Sequence, residues 1–178
     1  MKRFIILVPL LLAACVLPPV NRNDATPLGP VAAIEIESYQ GRWFEIARFP
    51  NNFERDCEGV TAEYRPRADG KIDVINTCRE GAPDGQARRA EAVARIVDPT
   101  TNAKLKVRFG GPFEGDYWVL DRAEDYSWAL VGEPRGRFLW VLSRTPAISD
   151  PLKADLLQRL QARGYNTDAL YWTAQPPA

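Results

Sequence analysis

The chain has 178 residues and no His, and its 23 Lys and Arg residues balance its 23 Asp and Glu residues. Without His, Ser-His-Asp and Cys-His catalysis are excluded and the commonest metal ligand is missing. A net charge near zero gives no electrostatic reason to bind nucleic acid, so we expect no nucleic-acid partner, no metal and no cofactor.

The first fifteen residues have the organisation of a bacterial secretion signal. Lys2 and Arg3 make the start basic, and residues 4–12 form an apolar run that is too short to span a bilayer. Leu12-Ala13-Ala14-Cys15 then matches a lipobox, which predicts cleavage after residue 14 and lipidation of Cys15. A plain signal peptide with an incidental Cys is the alternative. Val16 after the Cys favours the outer membrane, so we predict a lipid-anchored protein that faces the periplasm.

The next segment, residues 15–36, has the composition of a flexible tether. It contains Pro18-Pro19 and Pro27-Leu28-Gly29-Pro30 and has little hydrophobic periodicity. A flexible chain of this length spans roughly 25 Å root-mean-square. We therefore predict three parts: a lipoprotein signal peptide at 1–14, a lipidated N-terminus with a tether at 15–36, and one domain at 37–178.

From residue 41 onward, short apolar runs alternate with turn residues. Asp69-Gly70, Asp98-Pro99-Thr100 and Glu133-Pro134-Arg135-Gly136 each separate two such runs. Short connections of this kind favour antiparallel neighbours. Eight antiparallel up-and-down strands close into a barrel that is wide enough to hold one small ligand. The predicted strands lie at 41–49, 60–65, 71–76, 87–97, 104–109, 117–121, 126–131 and 138–143.

After the last of these strands, residues 150–163 carry helix signals at both ends. Ser149 suits the N-cap, Asp150 suits the positive end of the helix dipole, and Gly164 ends the helix. One apolar stripe follows the helix and consists of Leu152, Leu156, Leu157 and Leu160. We predict that this stripe packs on the outside of the barrel, and membrane binding is the alternative.

Two residues that are far apart in the chain predict how the barrel closes. Trp43 lies near the start of the first predicted strand, two residues after Gly41, and Arg144 follows the last one. A Gly lets the backbone bend tightly, and a Trp at a strand start can plug the end of a small barrel. A guanidinium over the indole would make a cation–π contact between the first and last strands. For Trp43 taken alone, an ordinary core position is the alternative.

These motifs resemble those of a known family. Residues 39–49 resemble the Gly-x-Trp signature of the lipocalins, in particular of the bacterial outer-membrane lipoprotein branch that is related to apolipoprotein D. Residues 139–146 resemble the final strand of that branch and its Arg. Asp125-Tyr126 matches two of the three residues of the Thr-Asp-Tyr signature, with Glu124 in place of the Thr. The resemblance covers roughly residues 37–175. It implies an all-β protein, an eight-stranded antiparallel up-and-down barrel with one C-terminal helix packed outside.

Two cysteines remain once Cys15 is assigned to the lipid anchor, and they could form one disulfide. Cys57 and Cys78 flank a predicted hairpin that turns at Asp69-Gly70, and a secreted compartment permits a disulfide. Closing a loop of about twenty residues is worth roughly 3 kcal/mol in the chain-entropy model. Strict alternation nevertheless puts the two side chains on opposite faces. We predict the disulfide, with either one Cys outside regular strand or a bulge that shifts the alternation.

Alternation along the strands also predicts the wall of a cavity. Leu105 and Val107 share one face of their strand, with Lys104 and Lys106 on the other. Small Ala side chains on one wall and aromatic side chains opposite favour a cavity. A barrel that is filled by the same side chains is the alternative. The resemblance favours the cavity. The predicted ligand-binding residues are Tyr64, Val74, Leu105, Val107, Tyr117, Val119, Trp128, Leu130, Phe138 and Trp140.

The resemblance implies a lipid-binding outer-membrane lipoprotein, with fatty acids or lysophospholipids in the barrel for transport, storage or scavenging of membrane lipids. Its partners would be a lipid ligand and, through the lipid anchor, the membrane. We predict that the protein is not an enzyme, because its carboxylates have no paired spacing that nominates an acid and a base. One alternative is a lipocalin-fold enzyme that acts on a lipid or carotenoid through Glu45, Tyr64 or Tyr117. Another is a structural envelope protein with a filled barrel.

Overall fold

The computed structural model of the protein describes residues 17–29 and 31–177. The predicted signal peptide at 1–14 and the predicted lipidation site Cys15 lie outside the described residues. The elements in chain order are α1 Ile36–Tyr39, β1 Gly41–Arg48, β2 Cys57–Pro66, β3 Ile72–Glu80, β4 Ala87–Ile96, β5 Lys104–Arg108, β6 Gly115–Arg122, β7 Trp128–Gly132, β8 Leu139–Ser143, α2 Asp150–Ala162, a 3₁₀ turn Thr167–Ala169 and β9 Tyr171–Trp172.

Within the described chain, β1 to β8 form one closed antiparallel barrel, which confirms the predicted fold. Strands β2 to β8 pair in sequence order, and β1 completes the ring because it pairs with both β8 and β2. The connections alternate between two ends of the barrel. The end with loops 49–56, 81–86, 109–114 and 133–138 is the open end, and the end with turns 67–71, 97–103 and 123–127 is the closed end.

Residues 31–40 cover the closed end. The backbone N–H of Ile34 donates to the carbonyl of Thr101 at 2.8 Å, which ties this segment to a turn of the barrel. Helix α1 then buries the ring of Tyr39 beside Trp43, with ring centroids 5.0 Å apart. The indole Nε1 of Trp43 donates to the Tyr39 carbonyl at 2.8 Å. The Trp43 side chain is fully buried, so it plugs this end as predicted.

Arg144 lies over Trp43, as the sequence predicts. Its guanidinium carbon is 3.8 Å from the centroid of the Trp43 ring. The guanidinium also donates to the carbonyls of Ser38 (2.8 Å), Gln40 (2.9 Å) and Arg42 (2.7 Å). It thereby satisfies the carbonyls of Ser38 and Gln40 at the end of α1 and, through Arg42, ties that end to β1. Gly41 joins α1 to β1 with φ +86°, a backbone conformation that side chains disfavour, which explains the Gly two residues before the Trp.

A seam between β1 and β2 is bridged by residues 171–175, which we name the C-terminal strap. The two strands pair only along residues 41–44 of β1, and a β-bulge follows between Glu45 and Ala47. The strap bonds to both strands: Thr173 N donates to Ile46 O (3.0 Å), Gly59 N donates to Ala174 O (2.7 Å), and Gln175 Nε2 donates to Glu45 O (2.7 Å) and Val60 O (3.0 Å). The barrel wall is therefore continuous where the two strands separate.

Helix α2 packs on the outside of the barrel, which confirms its predicted position. Ser149 caps it, because its hydroxyl accepts from the backbone N–H of Leu152 at 3.4 Å. Leu156 and Leu160 are buried against the outer faces of β1, β7 and β8. In the part of the chain that the structure describes, no helix is both long and apolar enough to cross a membrane.

Strand β7 is where the predicted assignment of faces is wrong. Trp128 and Leu130 pack with α2 in the hydrophobic cluster between the helix and the barrel wall, which we name the outer core. Ala129 and Val131 belong to the cluster inside the barrel, which we name the inner core. The register agrees, because Leu130 lies opposite Val141 of the outer core. Every residue of β7 is buried, so the sequence of this strand has no polar face to mark the outside. Trp128 and Leu130 therefore do not face the interior.

The N-terminal segment is bonded to the rest of the domain from residue 18. The contacts are Arg137 Nη1 to Pro18 O (2.5 Å), Asn21 N to Gly136 O (2.9 Å), and an isolated β-bridge between Arg22 and Tyr165. Residues 17–29 thus follow the outside of the barrel away from its open end. The prediction of a flexible tether is wrong for this described part of the segment.

Cys57 and Cys78 form the predicted disulfide near the open end, with their Cα atoms 5.2 Å apart. Both lie within strands, and a β-bulge between Glu58 and Thr61 shifts the alternation of β2. Gly59 lies in this bulge with φ +54°. The bulge resolves the conflict over faces, because it brings Cys57 to the side on which Cys78 lies.

Candidate functional site

A cavity of about 760 Å³ opens at the open end of the barrel. Six of the predicted ligand-binding residues line it: Tyr64, Val74, Val107, Tyr117, Phe138 and Trp140. Ala62 and Leu142, which the sequence analysis did not single out, extend the apolar wall in phase with Tyr64 and Trp140 on the same strands. The volume lies within the range of about 300–1,000 Å³ that is typical of ligand sites.

Leu105 and Val119 lie deeper in the barrel than the cavity. Both are buried in the inner core together with Trp43 and Ala94. They support the base of the cavity and do not line it. Of the remaining predicted residues, Trp128 and Leu130 lie outside the barrel, as described above.

Three tyrosine hydroxyls form a hydrogen-bonded chain at the base of the cavity. The Tyr117 hydroxyl is 2.7 Å from the hydroxyl of Tyr39 and 2.7 Å from that of Tyr64. Burial raises the pKa of all three phenols, so they remain protonated at neutral pH. Tyr64 and Tyr117 also line the cavity. They give an otherwise apolar wall a neutral polar contact.

Glu45 and Glu54 place two carboxylates on the cavity wall beside the seam. Glu45 is only 2% exposed, and its Oε1 accepts from Arg48 Nη1 at 2.6 Å and from the Thr173 hydroxyl. Burial, and after it the charge of Glu54, raises the pKa of Glu45 to about 8. Glu54 Oε2 accepts from the indole N–H of Trp140 at 3.1 Å. At neutral pH the protonated form of Glu45 therefore predominates.

Aromatic side chains surround the mouth of the cavity. Phe53, Phe109 and Phe113 line it but remain 57%, 50% and 87% exposed. Arg135 and Arg137 lie at the same mouth. Phe109 was predicted only as the last residue of the strand at 104–109, and Phe113 was not predicted to have a role, because an exposed loop Phe has the same sequence signal as a core one.

This arrangement suits an elongated amphipathic molecule better than a polar one. The interior offers a mainly apolar surface with two phenol hydroxyls and the carboxyl groups of Glu45 and Glu54, and the guanidinium groups at the mouth can bind an anionic group. Among residues 17–29 and 31–177, the His, Cys, Asp and Glu side chains form no group of three or more that could hold a metal ion.

Comparison with known proteins agrees with this geometry. The family model of the lipocalin-like domain matches residues 34–175. The chain belongs to the lipocalin family. The match includes every barrel strand, helix α2 and the whole C-terminal strap of this lipocalin.

Curated relatives extend the match to nearly the whole chain. The lipocalin is 39% identical over 174 residues to outer membrane lipoprotein Blc of Vibrio cholerae, covering 97% of both chains. It is 42% identical over 143 residues to Blc of Escherichia coli K12, covering 80% of both. Apolipoprotein D of Mus musculus is 29% identical over 174 residues, covering 92% of this chain and 84% of that protein. The predicted relation to this branch is confirmed.

Solved structures of more distant proteins share the fold of this lipocalin. Lobster apocrustacyanin A1 matches with a TM-score of 0.63 at 16% identity, covering 93% of this chain and 94% of that one. Insecticyanin from the tobacco hornworm Manduca sexta matches with a TM-score of 0.64 at 21% identity, covering 90% of this chain and 87% of that one. At such identities the similarity supports the fold alone.

Proposed function

We propose that this lipocalin is an outer-membrane lipoprotein that carries one fatty acid or lysophospholipid in its barrel, for transport, storage or scavenging of membrane lipids. The observation that carries the proposal is the cavity of about 760 Å³, with a mainly apolar wall, at the open end of the barrel. The similarity to proteins named outer membrane lipoprotein supports the location.

The charges of the site give the bound lipid a direction. Val74, Val107 and Trp140 provide apolar wall inside, where an acyl chain loses contact with water. Arg135 and Arg137 at the mouth attract a phosphate or carboxylate. The acidic residues that also line the cavity are paired: Glu114 with Arg95, Asp116 with Lys106, and Glu133 with the backbone N–H groups of Arg135 and Arg137. In this proposal the headgroup therefore stays at the mouth while the acyl chain points towards the tyrosine hydroxyls.

Binding strength should rise with acyl chain length until the cavity is full and then level off. Each methylene that leaves water contributes about 0.8 kcal/mol, which is roughly fourfold in Kd. Titration calorimetry with fatty acids and lysophosphatidylethanolamines of increasing chain length measures this dependence. An affinity that does not depend on chain length would show that the cavity is not an acyl site.

A pair of matched variants tests the same cavity from its two sides. Val107→Asp places a charge on the inner wall and should weaken lysophospholipid binding at least tenfold, because the carboxylate must be desolvated against the acyl chain. Val93→Asp makes the same change on the outer face of the neighbouring strand, opposite Arg108, and should leave the affinity nearly unchanged. Equal losses in the two variants would contradict the proposed site.

A carrier fits the geometry of the polar groups better than an enzyme. Tyr64 and Tyr117 are hydrogen-bonded phenols whose raised pKa values disfavour the phenolate that a base would need. The Glu45 carboxyl is occupied by Arg48 and Thr173. These three residues are the ones through which an enzyme would act, so we favour stoichiometric release of unchanged ligand.

The lipid anchor is a further part of the proposal and rests on the lipobox that ends at Cys15. A chain acylated there should fractionate with the outer membrane, because several acyl chains together give stable attachment. Cys15→Ser should move the protein to the soluble periplasmic fraction, which immunoblotting of the fractions measures. If the variant remained as membrane-bound as the parent, acylation of Cys15 would not be what holds the protein.

A further inference from the structure

The open end of the barrel carries more exposed aromatic surface than its packing requires. Phe53 lies on the loop after β1, and Phe109 and Phe113 lie on the loop after β5; their side chains are 57%, 50% and 87% exposed. Single exposed apolar side chains are ordinary, whereas several that converge on one patch indicate an interaction surface. These three converge, because all of them line the mouth of the same cavity. We name them the phenylalanine rim.

The N-terminal segment brings the chain to the same rim. Leu17 is 61% exposed and lines the mouth together with the three phenylalanines. The bonds from Arg137 to Pro18 and from Asn21 to Gly136 hold the following residues against the loop after β7. Cys15 precedes Leu17 by two residues, and two residues reach at most about 7 Å. An acyl anchor on Cys15 would therefore insert beside the rim.

We propose that the open end docks on the membrane surface, with the phenylalanine rim in the interfacial region of the bilayer and the closed end facing away. The occupant of this surface is a lipid bilayer, because the rim is apolar and lies within reach of the predicted anchor. The orientation rests on the proposed acylation of Cys15. In this position the mouth opens onto the bilayer, so a lipid passes between membrane and cavity without crossing water.

Hydrogen exchange on the full-length lipidated chain, reconstituted in vesicles of phosphatidylethanolamine and phosphatidylglycerol, tests this orientation. The reference is the Cys15→Ser chain free in solution. We expect backbone amides in loops 49–56 and 109–114 to exchange at least fivefold more slowly on vesicles, and turns 97–103 and 123–127 to be unchanged. Protection of the closed-end turns, equal exchange at both ends, or a chain that does not remain on the vesicles would overturn the proposal.

Two variants identify the rim as the cause of that protection. Phe109→Ser/Phe113→Ser should return loops 49–56 and 109–114 to the exchange rates of the free chain. Val97→Ser removes a 40% exposed apolar side chain at the closed end and should preserve the protection. Protection that persists without the two phenylalanines would overturn docking through the rim. High salt should not abolish the protection, because the contact is apolar; salt-sensitive protection would contradict it.

Calorimetry of lysophospholipid binding by the Cys15→Ser chain in solution separates this inference from the proposed function. If rim-dependent protection occurs but the soluble chain binds no lysophospholipid, the docking stands and the carrier function fails. If the soluble chain binds lysophospholipid but protection is absent or does not depend on the rim, the carrier function stands and the docking fails.

Discussion

Replacing Trp43 with Ala should lower the free energy of unfolding by about 3–5 kcal/mol, since the variant loses the packing of a fully buried ring at the closed end. The hydrogen bond to the Tyr39 carbonyl and the contact with Arg144 are lost as well. Urea unfolding followed by circular dichroism measures the change. Trp43→Phe keeps an aromatic face under the guanidinium and should cost less.

The role of Arg144 in this closure is measured by a double-mutant cycle. Arg144→Ala alone should cost about 2 kcal/mol, because the cation–π contact with Trp43 and the bonds to four carbonyls are lost. The double variant should lose less than the sum of the two single losses, with a coupling of about 0.5–3 kcal/mol. Losses that simply add would mean that the two side chains do not interact energetically.

The free energy of unfolding should decrease as the pH rises from about 5 to about 8, and Glu45 is the group responsible. Its pKa is 4.5 in the unfolded chain and about 8 in the folded protein. A raised pKa means that the folded state binds the proton more tightly. The stabilisation is therefore complete below about pH 4.5 and is lost as the pH rises through about 8. Between about pH 5 and about pH 8 we expect a loss on the order of 3 kcal/mol.

Two neutral variants isolate this effect in urea titrations across the same pH range. Glu45→Gln imitates the protonated form, keeps an acceptor for Arg48 and Thr173, and should remove most of the fall. Glu54→Gln removes the neighbouring charge that helps to raise the pKa of Glu45, so the fall should become smaller. A parent protein whose stability does not change relative to the Glu45→Gln variant would contradict the raised pKa.

The barrel and its closure could be predicted from the sequence because local signals determine them. Turn residues such as Asp69-Gly70 separate runs of strand length, and short connections restrict the strands to antiparallel neighbours. The closure was predictable from chemistry, because the indole of Trp43 and the guanidinium of Arg144 are complementary and lie on strands that must meet in a closed ring.

The errors arose where alternation carries no information. In β7 both faces are buried, so Trp128 could be assigned to either side. In β2 the predicted disulfide required either a bulge or a Cys outside regular strand, and only the pairing with β3 shows that a bulge containing Gly59 changes the face of Cys57. The N-terminal segment has the Pro and Asn content of a free tether, but its bonds come from Arg137 and Gly136, more than a hundred residues away.

The site was predicted in part for the same reasons. Tyr64 follows the alternation of β2, whose opposite face is polar, and Trp140 is in phase with Phe138, which precedes β8; all three line the cavity. The raised pKa of Glu45 had no sequence signal, because its causes are burial and Glu54, opposed by Arg48 and by Thr173 from the far end of the domain. A pKa shift that depends on contacts between segments distant in sequence can be found only from the folded barrel.

If the chain is exported and acylated at Cys15 as proposed, the C-terminal strap also limits when the barrel can be completed. A chain that crosses the inner membrane from its N-terminus delivers β1 and β2 first, but the N–H of Gly59 and the carbonyls of Ile46 and Val60 find their partners only when residues 173–175 arrive. Contacts between segments so far apart in sequence form slowly. Maturation at Cys15 requires only the beginning of the chain. The β1–β2 seam would therefore be sealed in a chain that is already acylated, and its folding would finish at the membrane surface.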